Sequence, residues 1–359
     1  MKVGIVGLPN AGKSSLFQAL TRAEAEVANY PFTTIEPNIA VVPVADARLE
    51  QVAAVIRSSE VVPDTILFHD IAGLVRGAHE GEGLGNQFLR HIRETDAIVH
   101  VVRTHGDDRV MHPDGRIDPV ADAEVVEAEL LYADLEQAER RLERVEKQAR
   151  GGDKVARAEE AWLHRVVEAL QAGRPVRSVP PPEDAPGAVT RLSPLTSKPV
   201  LFVANVDEGS IELPAALTGH AATVGAGAVA VSARLEAELA ALEPEEAAAM
   251  REELEAGEPG LNRVVDGAFA LLDQIAFFTA DTAKPAQSRH LRRGLTAWHA
   301  AGEVHTDIQR GFVRAEVIAW DDLVEAGGYA AARERGTLRT EGRDYVVADG
   351  DVVHIRFTP

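Results

Sequence analysis

The segment at residues 7–14, Gly-Leu-Pro-Asn-Ala-Gly-Lys-Ser, is the feature that most constrains the fold of this chain. It follows the apolar run at residues 2–6 and precedes a helical pattern at 14–20. A strand, a glycine-rich turn and a helix N-terminus in this order point backbone N–H groups and a helix dipole at phosphate oxygens. The segment therefore predicts a phosphate-binding loop, in which Lys13 bridges the β- and γ-phosphates and Ser14 binds Mg²⁺ through its hydroxyl.

Beyond this loop, strand-like and helical patterns alternate, which predicts an α/β fold with a parallel-rich sheet covered on both faces. A helical hairpin, predicted at 118–172 with a break at 151–153, interrupts the alternation, and the last part of the chain has the pattern of a small α+β domain. We predict a P-loop NTPase domain at 1–273, with a helical insertion at about 118–190, and a second domain at 274–359. Strands are predicted at 2–6, 39–44, 65–69, 97–103, 199–204, 228–232, 314–318, 344–347 and 350–357, and a helix from 260 to about 278.

The composition limits the partners and the chemistry that the chain can use. Its formal net charge of −20 opposes loose binding to nucleic acid and argues against sequence-specific DNA recognition. The chain has no cysteine, which excludes disulfides, thiolate catalysis and cysteine-ligated zinc. No apolar run approaches the roughly 20 residues of a membrane span, and the N-terminus lacks a signal-peptide pattern. We therefore predict a cytoplasmic protein without membrane contact.

Two further segments complete a predicted metal and γ-phosphate site. Asp70-Ile71-Ala72-Gly73 closes a strand, so that Asp70 is placed to act on Mg²⁺ through the water molecules around the ion and the Gly73 N–H to meet the γ-phosphate. Thr33 and Thr34 lie in a loop, and we predict that Thr34 binds the ion when a γ-phosphate is present. Two loops that γ-phosphate and Mg²⁺ order together form a nucleotide switch.

These motifs resemble those of one family of Obg-related NTPases. The matching segments are the phosphate loop, residues 30–38 (Tyr-Pro-Phe-Thr-Thr-Ile-Glu-Pro-Asn), 70–86 and 303–317. The continuation after Gly73 resembles the YchF/Obg-like ATPase family in particular. The resemblance implies a G domain, an inserted helical arm and a C-terminal TGS domain, a small β-grasp-like module. The sequence departs from the family pattern at Ala11 and around 281–298, which bears on the partner surface of the second domain.

The segment after the strand at 199–204 bears on the choice of nucleotide. Guanine-specific relatives have Asn-Lys-x-Asp there, whereas this chain has Asn205-Val206-Asp207-Glu208. The extra methylene of Glu208 moves the carboxylate away from a two-bond fit to guanine, and the resemblance favours ATP. Asn205 or backbone groups near Val206 are predicted to bind adenine, and Ser232 and Ala233 to complete the base pocket. The alternative is that Asp207 still binds guanine, as in a GTPase of the Obg type.

Hydrolysis is predicted to be slow without help, because Leu74 stands where many switch NTPases have a water-orienting glutamine. His112 is our candidate for the catalytic group, with His69 and His79 as alternatives. A potassium ion near Asn10 or a partner are further candidates. The predicted nucleotide-binding residues are Asn10, Ala11, Gly12, Lys13, Ser14, Ser15, Gly73, Asn205, Val206, Glu208, Ser232 and Ala233.

Local basic groups point to a partner in spite of the acidic total. One group surrounds the predicted hairpin tip, with glutamates that can pair with it at i,i+4, and a second includes Arg289, Arg292 and Arg293. The resemblance implies a ribosome-associated or RNA-associated ATPase, which we expect to be a monomer. The alternatives are a protein-interaction switch in stress signalling without ribosome binding and, last, a phosphotransferase for a small acceptor. The first basic group consists of Arg140, Arg141, Arg144, Lys147, Arg150, Lys154 and Arg157.

Overall fold

A computed structural model describes residues 1–25, 38–71, 84–106, 116–254 and 256–358. The chain divides into two compact units, one formed by 1–42 with 67–271 and the other by 43–66 with 272–359. The larger segment of the second unit begins at residue 272, and the boundary that we predict from the sequence is at 273. The second unit also includes 43–66, which the sequence analysis had assigned to the first domain.

The strands of the described residues form two six-stranded sheets, one in each unit. The first has the order β2-β4-β1-β5-β6-β7 and the second the order β11-β10-β12-β8-β9-β3. The strands are β1 (Lys2–Val6), β2 (Ile39–Pro43), β3 (Val61–Val62), β4 (Thr65–Asp70), β5 (Ala97–Arg103), β6 (Val200–Asn205), β7 (Gly227–Val231), β8 (Gln274–Asp281), β9 (Lys284–Arg292), β10 (Phe312–Ala319), β11 (Arg339–Glu341) and β12 (Asp351–Phe357).

Helices of the described residues connect these strands. Among them, no helix combines the length and the apolar character that a bilayer crossing requires. They are α1 (Lys13–Ala25), α2 (Ala47–Ile56), α3 (Leu84–Arg93), α4 (Pro119–Arg150), α5 (Lys154–Gln171), α6 (Ala188–Leu192), α7 (Ala215–Thr223), α8 (Ala233–Leu239), α9 (Pro244–Glu253), α10 (Gly260–Leu271), α11 (Ala297–Val304), α12 (Thr306–Arg310), α13 (Trp320–Ala326) and α14 (Tyr329–Arg335).

The centre of the first sheet is parallel, as the sequence predicted. β1 pairs in parallel with both β4 and β5, and β5–β6 and β6–β7 are parallel as well. Every residue of β5 and β6 is buried, which accounts for their nearly continuous apolar sequences. Val6 pairs with His100 and Arg103 with Asn205, so the carboxyl ends of β1, β5 and β6 meet at one edge. Open α/β sheets bind their ligands at this edge.

The predicted helical hairpin is present as α4 and α5. Asp118 caps α4 by accepting the Ala121 N–H at 3.1 Å, and Asp153 caps α5 by accepting the Val155 N–H at 2.9 Å. Between the caps the chain reverses at Gly151 and Gly152, and the helices pack around the fully buried Trp162. Arg141 and Arg191 both bind the buried carboxylate of Glu159, at 2.8 and 2.5 Å. Arg141, a member of the predicted basic group, is therefore paired with a carboxylate inside the arm.

The second unit has the α+β architecture that was predicted for the C-terminal part. β8 and β9 form an antiparallel hairpin, β12 lies parallel to β8, and β10 lies antiparallel to β12. Buried residues of α11 pack with Phe277, Val317 and Val353 in the core of this unit. β3 adds to the free side of β9 in parallel. The arrangement fits the predicted β-grasp-like class.

Two predictions of secondary structure were wrong in this region. The helix predicted to reach about Phe278 ends at Leu271, and Gln274 begins β8 after Asp273, whose φ of 48° breaks the helix. The strand predicted at 344–347 is a turn with one isolated bridge from Val346 to Thr296. Asp351 holds this turn by accepting the Ala348 N–H at 2.8 Å and the Tyr345 hydroxyl at 2.9 Å.

Candidate nucleotide-binding site

A cavity of about 930 Å³ opens at the carboxyl edge of the first sheet. It is large enough for a nucleoside triphosphate, because small-molecule sites span roughly 300–1,000 Å³. The loop between β1 and α1 forms one side, and the segments that follow β5, β6 and β7 form the other. Its lining consists of Asn10, Gly12, Lys13, Ser14, Ser15, His105, Gly106, Asn205, Val206, Asp207, Glu208, Ser232 and Arg234.

The loop at 7–14 owes its shape to glycines at two positions. Gly7 has a φ of 152° and Gly12 a φ of 105°, and Asn10 between them lies in the left-handed region at 63°. A Cβ on Gly7 would lie 2.4 Å from the Val101 carbonyl oxygen, and one on Gly12 would lie 2.2 Å from Nδ2 of Asn205. Both distances are far below contact, so no other residue fits these positions without displacing a neighbour. The loop leads directly into α1, whose N-terminus begins at Lys13.

Lys13 carries the positive charge of the site from a buried position. Its side chain is 8% exposed, and Nζ donates to the carbonyl oxygens of Gly7 at 3.1 Å and Leu8 at 2.8 Å. An ammonium group has three donors, so a third can meet an acceptor in the cavity. Burial lowers the pKa of Lys13, and the nearby Asp70 carboxylate opposes that shift. Burial raises the pKa of Asp70, and Lys13 opposes it in turn. The Lys13 ammonium group and the Asp70 carboxylate therefore stabilise each other's charge beside the loop.

Asn205 joins the loop at 7–14 to the start of α8 by hydrogen bonds. The residue is 5% exposed, its Nδ2 donates to the Ala11 carbonyl at 3.0 Å, and its Oδ1 accepts the Ala233 N–H at 3.0 Å. The Thr104 N–H and hydroxyl both donate to the Asn205 carbonyl, at 3.0 and 2.8 Å. An amide nitrogen has two hydrogens, so the bond to Ala11 occupies one of them. The sequence predicted Asn205 as a base contact, which stays a prediction, and gave no sign of its bonds to Ala11 and Ala233.

The end of the cavity beyond Asn205 is shaped by an ion pair that the sequence did not reveal. Glu208 Oε1 lies 3.0 Å from Nε of Arg234, and the same nitrogen contacts Glu238 at 3.0 Å. Ser232 precedes α8 and lines the cavity, and its side chain does not cap that helix. Half-exposed pairs of this kind contribute about 1 kcal/mol or less, so a ligand can displace Arg234 at small cost.

The predicted residues divide into three groups. Asn10, Gly12, Lys13, Ser14, Ser15, Asn205, Val206, Glu208 and Ser232 line the cavity together. Ala11 and Ala233 are buried behind it and hold Asn205 through backbone groups, and Asp70 acts on Lys13. Thr34, Gly73, Leu74, His79 and His112 lie outside the described residues.

Histidine positions near the site differ from those that the sequence favoured. His105, which was not predicted, lines the cavity next to Gly106, directly after β5. Its position at the carboxyl end of a central strand is a signal that sequence reasoning could have used. His69 lies on β4 and is not part of the lining. His100 is buried on β5 against Phe202, and burial together with Lys13 lowers its pKa to about 3, so it is neutral near pH 7.

Comparison with known proteins places this arrangement in a family. A family model described as a 50S ribosome-binding GTPase matches residues 2–137, and the model YchF-GTPase_C, described as a protein of unknown function, matches 274–358. The chain is 45% identical over 363 residues to a protein of Bacillus subtilis named ribosome-binding ATPase YchF, with 99% of each chain covered. A protein of the same name from Haemophilus ducreyi is 47% identical over 359 residues, with 99% of each covered. The chain belongs to the YchF family.

A solved YchF structure agrees with the fold. The YchF GTPase of Schizosaccharomyces pombe is 32% identical to this chain, and its structure has a TM-score of 0.87. The match covers 99% of this chain and 97% of the S. pombe chain. A GTP-binding protein of Pyrococcus horikoshii OT3 has a TM-score of 0.66 at 21% identity, which concerns the fold alone. The predicted fold class and the YchF resemblance are thereby confirmed.

Proposed function

We propose that this YchF-family chain is a nucleotide-switched ATPase that hydrolyses ATP to ADP and phosphate and associates with the ribosome. The observation that carries the proposal is the cavity in which Lys13, Ser14 and Asn205 meet, in a chain whose curated relatives are named ribosome-binding ATPases. The names of the relatives differ on the nucleotide, since the S. pombe protein is called a GTPase. We favour ATP because Glu208 replaces the shorter aspartate of guanine-specific motifs and pairs with Arg234.

A magnesium ion fits the chemistry of the donor set. Ser14 lines the cavity with a hydroxyl next to Lys13, and Asp70 supplies a carboxylate close enough to interact with Lys13. Oxygen ligands of this kind are those that Mg²⁺ prefers, and it commonly keeps several waters and the phosphates of the substrate. We propose that Ser14 and Thr34 bind the ion, that Asp70 acts through its water, and that the Gly73 N–H meets the γ-phosphate. A Mg²⁺ ion held there would offset the negative charge that develops on the phosphate oxygens during hydrolysis. Potassium near Asn10 is an additional candidate.

The remaining parts of the proposal concern the whole protein. The second unit acts as a TGS domain, and the protein works in the cytoplasm as a monomer. The partner distinguishes the ATP-bound from the ADP-bound protein through the segment at 72–83. This segment includes Gly73 and leads to α3.

Ribosome association is tested by sedimentation in defined nucleotide states. Purified bacterial ribosomes are pelleted with the protein in the presence of a non-hydrolysable ATP analogue, ADP or no nucleotide. A switch predicts that the pelleted fraction differs between the analogue and ADP, because γ-phosphate orders the switch loops. Absence from the pellet in every state at low salt would favour the alternative, a protein-interaction switch that does not bind ribosomes.

The catalytic role of His112 is tested by the substitution His112→Ala. We expect turnover of ATP to fall by about tenfold or more while ATP affinity changes less than about twofold, since a positioned acid–base group acts on the transition state. The measurement is phosphate release at saturating ATP together with ATP titration. His105→Ala is the matched comparison, because His105 is the histidine that lines the cavity in the described residues. Turnover that is unchanged in His112→Ala would remove this residue from the mechanism.

A further inference from the structure

A second polar cavity lies in the first unit, between α3 and the part of α4 near the sheet. It has a volume of about 260 Å³. α3 contributes Asn86, Arg90 and Arg93, and α4 contributes Glu136 and Arg140. Three guanidinium groups thus face one carboxylate in a protein whose formal net charge is −20. The local charge is opposite to that of the whole chain.

The carboxylates that contact Arg90 and Arg140 do so in exposed surface pairs. Arg140 contacts Glu136 at 3.1 Å and Arg90 contacts Glu94 at 3.4 Å, both across i,i+4 on a helix surface. Arg90 is 76% and Arg140 61% exposed in their side chains, so each pair contributes only about 0.3–0.5 kcal/mol and exchanges easily with another anion. Such weak pairs orient the guanidinium groups and leave them able to bind another anion.

Arg93 has a neutral hydrogen-bond partner, Gln137, and lies near both the Asp134 carboxylate and Arg140. Its Nη1 donates to the side-chain oxygen of Gln137. Burial lowers the pKa of Arg93, Asp134 opposes the shift, and repulsion from Arg140 adds to it. Both oxygens of Asp134 already accept hydrogen bonds, from the Leu195 N–H at 2.8 Å and from Thr196 at 2.7 and 2.8 Å. An anion in the cavity would relieve the repulsion between Arg93 and Arg140.

We propose that Arg90, Arg93 and Arg140 form a docking site for a phosphate group of the RNA backbone. Planar guanidinium groups bind phosphate oxygens in pairs, and three of them around one cavity favour the tetrahedral, singly charged phosphodiester of an RNA backbone. The site is an open surface cavity with two exposed arginines, which suits a phosphate presented on a large partner. This inference rests on the proposed ribosome association and names the part of the protein that meets RNA.

The site shares Arg140 with the first basic group that the sequence predicts, but it adds Arg90 and Arg93 of α3 and lies away from the hairpin tip. Near the hairpin tip, Arg150 pairs with Glu146 at 3.7 Å, and Arg157 Nε donates to the Ala149 carbonyl at 3.3 Å. The proposed site instead uses Arg93 of α3, the helix that follows the segment 72–83. A phosphate bound there contacts the element that leads out of the proposed switch.

The test compares Arg140→Gln and Arg93→Gln with Arg144→Gln. Arg144 is exposed on the same helix, outside the cavity, and its replacement removes the same charge. Sedimentation with purified bacterial ribosomes is measured between about 50 and 200 mM KCl. The slope of log affinity against log salt should fall by about 0.7–0.9 for each lost phosphate contact. We expect affinity at 100 mM KCl to fall about three- to tenfold in the cavity variants and less than about twofold in Arg144→Gln. Arg93→Lys should restore part of the loss, and basal ATP turnover should remain unchanged.

Three outcomes would overturn the inference, in distinguishable ways. Equal losses of ribosome affinity in Arg144→Gln and Arg140→Gln would show that the total charge, and not this cavity, determines binding. Unchanged ribosome binding in both cavity variants, with inorganic phosphate alone still binding the wild type and not Arg140→Gln, would show a free-phosphate site. In both cases the wild type still sediments with ribosomes, so the proposed function stands. A wild-type protein that does not sediment would overturn the proposed association together with this inference.

Discussion

Replacing Lys13 by alanine is expected to lower the affinity for ATP by roughly 100-fold, because a charged hydrogen-bond partner of phosphate contributes about 1.5–3 kcal/mol and each 1.4 kcal/mol is tenfold. The Lys13 ammonium group is buried, anchored on two carbonyls of its own loop, and has a donor left for a phosphate oxygen. Alanine removes the positive charge at this position and leaves Asp70 without its positive neighbour. Titration with a fluorescent ATP analogue measures the loss.

Two controls separate this effect from a general loss of charge or structure. Lys2→Ala removes an exposed lysine of β1 that does not line the cavity, and its affinity for ATP should equal that of the wild type. Thermal unfolding of Lys13→Ala without nucleotide should show a folded protein. An affinity that is unchanged in Lys13→Ala would contradict the assignment of the loop at 7–14 as the phosphate site.

Gly12→Ala is expected to weaken nucleotide binding and, unlike Lys13→Ala, to destabilise the protein as well. The new Cβ would lie 2.2 Å from Nδ2 of Asn205 at a φ of 105° that side chains rarely adopt. Asn205 would have to move, and its bonds to the Ala11 carbonyl and the Ala233 N–H would break. We expect the free energy of unfolding to fall by about 2 kcal/mol or more and ATP affinity to fall at least about tenfold. Denaturant titration and ATP titration measure the two effects.

The matched variant is Gly152→Ala, at the turn between α4 and α5. Gly152 has a φ of 91°, and a Cβ there would meet nothing within 4 Å. Gly152→Ala therefore adds the strain of a left-handed backbone but no steric clash. We expect the free energy of unfolding to fall by about 1 kcal/mol and ATP affinity to stay unchanged. If both variants lost stability equally and both kept ATP affinity, the bridge through Asn205 would not matter for the site.

Local sequence was sufficient to predict that residues of the loop at 7–14 lie together beside the start of a helix. The loop at 7–14 depends on glycines, a lysine and a helix start that are adjacent in the chain, and these residues line the cavity as expected. The role of Asn205 depends on a partner 194 residues away, and the pair between Glu208 and Arg234 depends on how two loops meet. A motif gives the residue types at such positions but not the contacts between them.

The errors in the fold have the same origin. The apolar run at 275–278 is too short for periodicity to distinguish a strand from the end of a helix, and the left-handed Asp273 decided it. Residues 344–347 have strand-like side chains, but contacts with Asp351 hold them in a turn. The segment 43–66 belongs to the second unit because β3 pairs with β9, more than 200 residues later in the chain. Pairings of that separation leave no local signal.

The most direct test of the proposed function is the ratio of kcat/KM for ATP to that for GTP, measured side by side with Mg²⁺ and repeated with potassium and with sodium. In the part of the cavity that we propose for the base, the chain carries Glu208 in place of aspartate and Val206 in place of lysine, with Glu208 paired to Arg234. We expect ATP to be preferred by about tenfold or more, since a lost two-bond fit to guanine is worth at least about 1.4 kcal/mol. Removal of Mg²⁺ by a chelator should abolish turnover of both nucleotides. A preference for GTP would contradict the proposal and would favour binding of guanine by Asp207 in a GTPase of the Obg type.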